Sequence, residues 1–525
     1  MRVMNMKKAI SMTQLLLAAL LTTALLVAPA ARAAVPGITG PTFNLTAQAE
    51  YLTQPDGSSV YSWGYGCNGA PAGYKPAAIS GAFCNPMQVP GPTLIVQQGD
   101  TVVVNLTNNL PLAAGNTSIL FPGFNVTPST GGGTTRGLLT QEATPGGTVT
   151  YTFTATTPGT RAYYSGTEGD LQVEMGMYGA IVVVPSSTPA ECTGGVHNSN
   201  LLAQGVHNES DFRLAAAAYN HPGACYDREY IFQFSEMDPR IHREAQQQAA
   251  RACTDCMNVA TEPYVPGYFM INGRSMPDDM DPNYAREYPH QPYNGNPHMH
   301  PGELVLLRIV GQGRWQHPFH EHGNHVRVLA RDGNLILSTT NPADPNLAGP
   351  LLFTTTTTPG QAIDGIYYWT GKGLNWDPYG HNAASGSTLP CTPDANGYNT
   401  GGTAYQAINY FEWCQDHNKP LQATPTGDVA HGGPATLPDP NIFANGAWYG
   451  GSPYLGPDAT IRAVGSTGTT PPSGTVGNSP TDEAGFAFMW HSHNEREITT
   501  NNIFPGGMMM MMLVDSREFV INESN

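Results

Sequence analysis

Charged side chains are scarce in this chain of 525 residues, and basic ones are the scarcest: Lys and Arg together number 23, against 40 Asp and Glu. The formal charge is −17. A surface this short of cations does not neutralise phosphates, so nucleic acid and anionic membranes are excluded as main partners. Long apolar runs are also missing, apart from Leu15–Val27 near the N-terminus. That run is too short for a membrane span. With Lys7 and Lys8 before it and Ala31-Arg32-Ala33 after it, it reads as a secretory signal over residues 1–34. Removing it takes four basic residues and no acid, which leaves 19 basic residues against 40 acids and a charge of −21. The expectation is an exported protein with no membrane span.

Strong helix signals are few as well, while Gly (59) and Pro (45) are abundant. This composition fits many short strands joined by tight turns. Phe43–Tyr51, Gly147–Thr154 and Arg228–Phe234 alternate with the period of a half-buried strand, and Gly179–Val184 and Glu303–Val310 read as buried strands. Residues 243–252 are the one run of good helix formers. The organisation expected is a first domain at 36–187, a connection at 188–225 and a second domain at 226–525. The second carries a loop-rich insertion at about 370–480. All eight cysteines follow the signal, and export makes disulfides the default; pairing of near neighbours in chain order is the simplest of the 105 connectivities. Cys253-Thr-Asp-Cys256 alone is weak evidence for a metal knuckle.

The chemistry concentrates in His317-Pro-Phe-His-Glu-His-Gly-Asn-His325 and in His491-Ser-His493. Residues i and i+2 of a strand share a face, so His320 with His322, and His491 with His493, each present two imidazoles on one side. If the two strands pair, four imidazoles meet, which is a metal site. His325 reads as a strand cap, and His298-Met-His300, before Pro301-Gly302, as solvent-exposed. Glu495 and Glu497 read equally as groups orienting a histidine or as surface acids. The run Met508–Met512 suits a core filled on both faces, with Met508 the one candidate ligand.

Taken together, Val89-Pro-Gly-Pro-Thr93 with Gly99-Asp100, Tyr268-Phe-Met-Ile-Asn-Gly-Arg274, His317-Pro-Phe-His-Glu-His-Gly323 and His491-Ser-His493 followed by Gly507-Met508 resemble the multicopper oxidases, in their laccase-like, two-domain form. The resemblance implies an all-β fold of two cupredoxin-like Greek-key sandwiches and copper as cofactor. It also implies His317 as a type 1 ligand, with Met508 beside it, and His320, His322, His491 and His493 as ligands of a type 2/type 3 cluster. Three departures stand out. Ser492 occupies the position of the type 1 thiolate. Glu497 occupies that of a further type 1 histidine. The first-domain His-x-His pairs are replaced at Thr117-Ser-Ile-Leu-Phe-Pro-Gly123 and Tyr163-Tyr-Ser-Gly-Thr-Glu168. Half of the cluster's histidines therefore remain, enough for one copper or two. Glu321 and Ser492, on the face opposite the paired histidines, are expected to join His317 in a polar cluster where type 1 copper would sit.

Two functional classes follow. One is an oxidoreductase with a mononuclear or dinuclear copper site, reduced by a small molecule or a metal ion. The other is a non-catalytic copper-binding or structural protein. Two-domain relatives are often trimers with sites between subunits, but the missing first-domain histidines remove the ligand-based reason for a trimer here.

Overall fold

The alternating segments of the first half pair into two sheets that face each other across an apolar core. In the computed structural model, which describes residues 34–194, 210–339, 346–369, 392–395, 451–454, 485–515 and 521–523, one sheet runs Gly159–Tyr164, Tyr178–Val184, Leu94–Gln97, Gly37–Thr39 and Tyr74–Lys75 in spatial order. The other runs Ser59–Cys67, Thr42–Thr53, Thr101–Asn108, Thr148–Thr154 and Thr127–Pro128. Inward positions are apolar in strict alternation: Val102, Val104 and Leu106 on one strand meet Val149, Tyr151 and Phe153 on its neighbour, and all six are buried. Parallel pairings between strands distant in sequence, such as Thr42–Thr53 with Thr101–Asn108, mark crossovers between sheets rather than simple hairpins.

A second sandwich follows. Among the described residues its larger sheet has seven strands, with Leu304–Gly311 at its centre between Arg228–Met237 and Ala362–Tyr368. The smaller has six, in the order His298–Met299, Met509–Asp515, Gly485–Ser492, His317–Glu321 and Thr354–Thr357, with Gly451–Tyr454 added along Gly485–Ser492. The fold is therefore all-β and cupredoxin-like, as the sequence implies. The methionine run forms part of this smaller sheet; Met508, Met509, Met510 and Met512 are buried.

The helix expected at residues 243–252 is present but shifted, spanning Pro239–Ala249. Asp238 caps it, accepting from the Arg240 N–H at 2.9 Å, and Pro239 fits a first-turn position that needs no donor. Ile241 and Ala245, four residues apart, bury into the core of the first sandwich, so a helix that follows the strand Arg228–Met237 of the second sandwich closes the first. Disulfides join Cys67 to Cys84, Cys192 to Cys225 and Cys253 to Cys256. All but the last residue of the signal expected at 1–34, Cys391, Cys414 and nearly all of the 370–480 insertion lie outside the described residues. No described helix is long and apolar enough to cross a membrane.

Candidate metal centre

The two histidine motifs lie on adjacent antiparallel strands. His320 is directly opposite His491, Phe319 opposite Ser492 and Glu321 opposite Trp490. Directly opposed residues share a face, so the sheet sorts these side chains into two sets. Phe319 and Trp490 point into the core, with ring centroids 6.0 Å apart, and Phe319 also packs on Phe234 at 4.7 Å. The imidazoles point to the other side. There His320 lies 4.8 Å from His322, 5.6 Å from His491 and 5.0 Å from His493, centroid to centroid, and His322 lies 5.1 Å from His491. His320, His322 and His491 are buried, whereas the His493 side chain is half exposed.

Two of these rings, His320 and His491, are held as neutral ligands. Burial drives the His320 pKa down to about 4, helped by the neighbouring His491 and His493. Burial lowers that of His491 too. The His491 Nδ1 lies 2.7 Å from the Ser492 carbonyl oxygen and donates to it. That fixes the tautomer and leaves the Nε2 lone pair facing His322 Nε2, 3.2 Å away. Two nitrogens bound to one tetrahedral ion at 2.0–2.1 Å stand roughly 3.3 Å apart, so this pair already has the spacing of co-ligands. As the rings stand, no three His, Cys, Asp or Glu side chains among the described residues are placed to hold one ion together. The donor set fits copper chemically.

The position the resemblance gives to type 1 copper is built differently. His317 is buried with both nitrogens engaged: Nε2 lies 2.9 Å from Glu236 Oε2 and Nδ1 lies 2.9 Å from Glu497 Oε2. The Ser492 hydroxyl donates to that same Glu497 oxygen. Burial alone would lower the His317 pKa, but the bonds to Glu236 and Glu497 outweigh it and raise it to about 9. An imidazole protonated on both nitrogens offers no lone pair, and a serine offers no thiolate. These residues do not fit a type 1 copper. The expected polar cluster of His317, Ser492 and Glu321 needs a correction. Glu497, buried rather than on the surface, bridges His317 and Ser492, while Glu321 turns to the hydroxyl of Thr355. Met508 is fully buried in the apolar core.

Other histidines fall differently from their sequence reading. His298 and His300 are buried, not exposed: the His298 Nδ1 is 2.7 Å from Asp515 Oδ2, and the His300 Nδ1 is 3.0 Å from the Asp515 carbonyl oxygen. A strand returning from the C-terminal end covers them, which local sequence does not reveal. His325 is exposed, against Phe353. In the first sandwich, Leu120 and Tyr164 come from the two segments where the resemblance would place histidines. They line a cavity of about 300 Å³ with Leu139, Val173, Gly313 and Gly360. Sequence reading missed Glu236, although a signal was there. It has the strand parity of Phe232 and Phe234, so an acid sits on a core-facing position.

Two sequence profiles, both described as multicopper oxidase, match residues 79–188 and 260–364. The chain is 38% identical over 96 residues to an L-ascorbate oxidase of Brassica rapa subsp. pekinensis, covering 18% of this chain and 16% of that protein. It is 34% identical over 117 residues to multicopper oxidase MCE of Talaromyces pinophilus, covering 22% and 18%. The matches thus span less than a fifth of either relative's length. Among solved structures, the blue copper oxidase from Nitrosomonas europaea aligns over 90% of this chain and 85% of its own, at 14% identity and a TM-score of 0.42.

Proposed function

Because the chain belongs to the multicopper oxidase family, whose cofactor is copper, we propose that it is an exported oxidoreductase with a reduced copper complement, one or two ions held by His320, His322, His491 and His493. The observation that carries this reading is the opposition of His320 to His491 across two paired strands, with His322 and His491 nitrogens 3.2 Å apart. Bound copper would supply one-electron redox chemistry at a position left open to an oxidant. The chain's own residues prepare the place. Burial keeps His320 and His491 neutral, Thr354 orients His320 through a 3.0 Å contact to Nδ1, and the Phe319–Trp490 core fixes both strands. His493, half exposed, is the side from which a small-molecule or metal-ion reductant would approach. Neither nucleic acid nor a membrane is a partner in this reading. Assembly as a trimer would have to rest on something other than shared ligands, since the first-domain positions carry no imidazole.

A second reading is favoured by one observation, the sealing of His317 by two carboxylates. Without a type 1 relay the protein would bind copper, or simply fold around this pocket, without turnover. One experiment separates the two. The purified mature protein is assayed for bound copper, electron-spin spectrum and oxygen uptake with phenols or metal-ion reductants. The proposal expects one to two copper ions per chain, a histidine-type signal, no intense blue absorption, and uptake that is lost with His320→Ala or His491→Ala. Copper without uptake supports the second reading. An intense blue band, or copper content untouched by both substitutions, overturns the assignment of the site.

A further inference from the structure

The groups around His317 continue beyond it in an unbroken line. Glu174 Oε2 lies 2.6 Å from the Tyr264 hydroxyl, which lies 3.1 Å from Glu236 Oε1. Glu236 Oε2 meets His317 Nε2, His317 Nδ1 meets Glu497 Oε2, and the Ser492 hydroxyl also donates to that oxygen. Glu174 belongs to the first sandwich and Glu497 follows the strand of the second histidine pair, so the line crosses the molecule. Every member but Tyr264 is buried. Tyr264 is partly exposed, its ring under the Arg314 guanidinium at 4.1 Å and edge-on to Trp315 at 5.5 Å. Gly313 makes room for the line at Glu236: its φ is +65°, and a Cβ there would stand 2.4 Å from Glu236 Oε2.

Counting protons shows what this line holds. The four contacts from Glu174 to Glu497 need one proton each. Tyr264 brings one and His317 at most two. If all three carboxyl groups were ionised, one contact would join two bare acceptors. A fourth proton therefore sits on a carboxyl group, or His317 is neutral and two carboxyls carry protons. Either way five groups share four protons, with a single net negative charge. Buried networks are retained when every member is satisfied, and this one is satisfied only with that extra proton aboard.

We propose that Glu174, Tyr264, Glu236, His317 and Glu497 form one proton-conducting chain between the first sandwich and the strand bearing His491 and His493. With the extra proton on Glu174 and His317 protonated on both nitrogens, the Glu174 proton passes to the Tyr264 oxygen, the Tyr264 proton to Glu236 and the His317 Nδ1 proton to Glu497, while the proton between Glu236 and His317 stays on Nε2; the Glu174 end loses one proton and the Glu497 end gains one. No proton enters or leaves, and no heavy atom moves far. Tyr264 is the contact with solvent, and Ser492, between the two histidines, is the far terminus. At the place where the resemblance would put an electron relay, the chain carries protons instead. Its use for reduction at the imidazole quartet rests on the proposed function; its existence does not.

The test reads protons, not turnover, on metal-free full-length protein. Infrared spectra are recorded in H2O and D2O for the wild type, for Glu174→Gln, Glu236→Gln and Glu497→Gln, and for Glu321→Gln as a carboxyl outside the line. A deuterium-sensitive carboxylic C=O band is expected that each of the first three substitutions removes or shifts and that Glu321→Gln leaves in place. Tyr264→Phe, which leaves every carboxyl intact at a partly exposed position, is expected to shift the same band and to slow its exchange into D2O. If none of the three substitutions alters the carboxylic region, no proton is stored and the proposal fails. If one removes the band while the other two and Tyr264→Phe leave it unchanged, the proton is localised on one acid and conduction is excluded. Retained copper binding alongside either negative result would leave the quartet's assignment standing while ending that of the chain.

Discussion

His317 and Glu321 stand on the same face of one short strand, yet burial acts on them in opposite ways. Glu321 is wholly enclosed, the Thr355 hydroxyl donates to its Oε1, and its Oε2 has no hydrogen-bond partner among the described residues. Desolvation therefore raises its pKa to about 8, against an ordinary 4.5. Folding takes up a proton across that window, so its contribution to stability is full below pH 4.5 and is lost as pH rises through 8. Glu321→Gln keeps the acceptor for Thr355 and removes the charge. The stability measured by urea unfolding should match the wild type near pH 4 and exceed it at pH 9 by on the order of 2–4 kcal/mol; an unchanged pH slope would contradict the assignment. For His317 the two carboxylates outweigh burial. With a folded pKa near 9 and an unfolded value of 6.5, its stabilisation is complete below pH 6.5 and fades as pH climbs through 9. His317→Gln should flatten that part of the stability profile, and should cost about 3–5 kcal/mol at neutral pH because it strands two buried carboxyl groups.

At the scale of the element, the paired strands His317–Glu321 and Gly485–Ser492 are held from the core side, and the imidazoles inherit their positions from that grip. Phe319 carries most of it, between Phe234 at 4.7 Å and Trp490 at 6.0 Å. Phe319→Ala should cost about 3–5 kcal/mol of stability. It should also reduce bound copper although no imidazole is altered, whereas Phe319→Leu should keep most of both. Metal analysis beside thermal melts would show it, and full copper occupancy in a destabilised Phe319→Ala protein would detach the site from the strand core. The same element shows what could be read from sequence. Alternation is local, so the shared face of His320 and His322 was visible in the letters, as was that of His491 and His493. Register is not local: nothing near Glu497 says that it turns inward to His317, and nothing near His298 says that Asp515 covers it. Glu236 lies between these cases, its inward parity readable but its partner not. The helix was found by composition and misplaced by four residues because Asp238 and Pro239, poor helix formers, set its start.

Across the whole molecule, the two sandwiches are joined by a buried polar network as well as by apolar contact. Thr160, on the first sandwich, donates through N–H and hydroxyl to the two carboxylate oxygens of Asp364 on the second, at 3.0 and 2.6 Å. Arg308 donates to the Thr160 hydroxyl at 3.0 Å and to Glu229 at 2.7 and 2.9 Å, and the Tyr219 hydroxyl also donates to Asp364. All of these residues are buried. The relative placement of the sandwiches matters because the proposed proton chain begins on one and ends on the other. Asp364→Ala removes the acceptor on which three donors converge and leaves Arg308 with one carboxylate fewer. Breaking a buried charged network by deleting one partner costs about 3–5 kcal/mol, here spent at the junction and not inside either core. The expected result is a single calorimetric transition for the wild type and two for the variant, the first sandwich no longer sharing the fate of the second. The same substitution should weaken the deuterium-sensitive carboxylic band, since Glu174 and Tyr264 would no longer be held at 2.6 Å. A single transition at lower temperature with that band intact would mean that Asp364 only stabilises the second sandwich, and that the helix Pro239–Ala249, buried in the first core, fixes the two halves by itself.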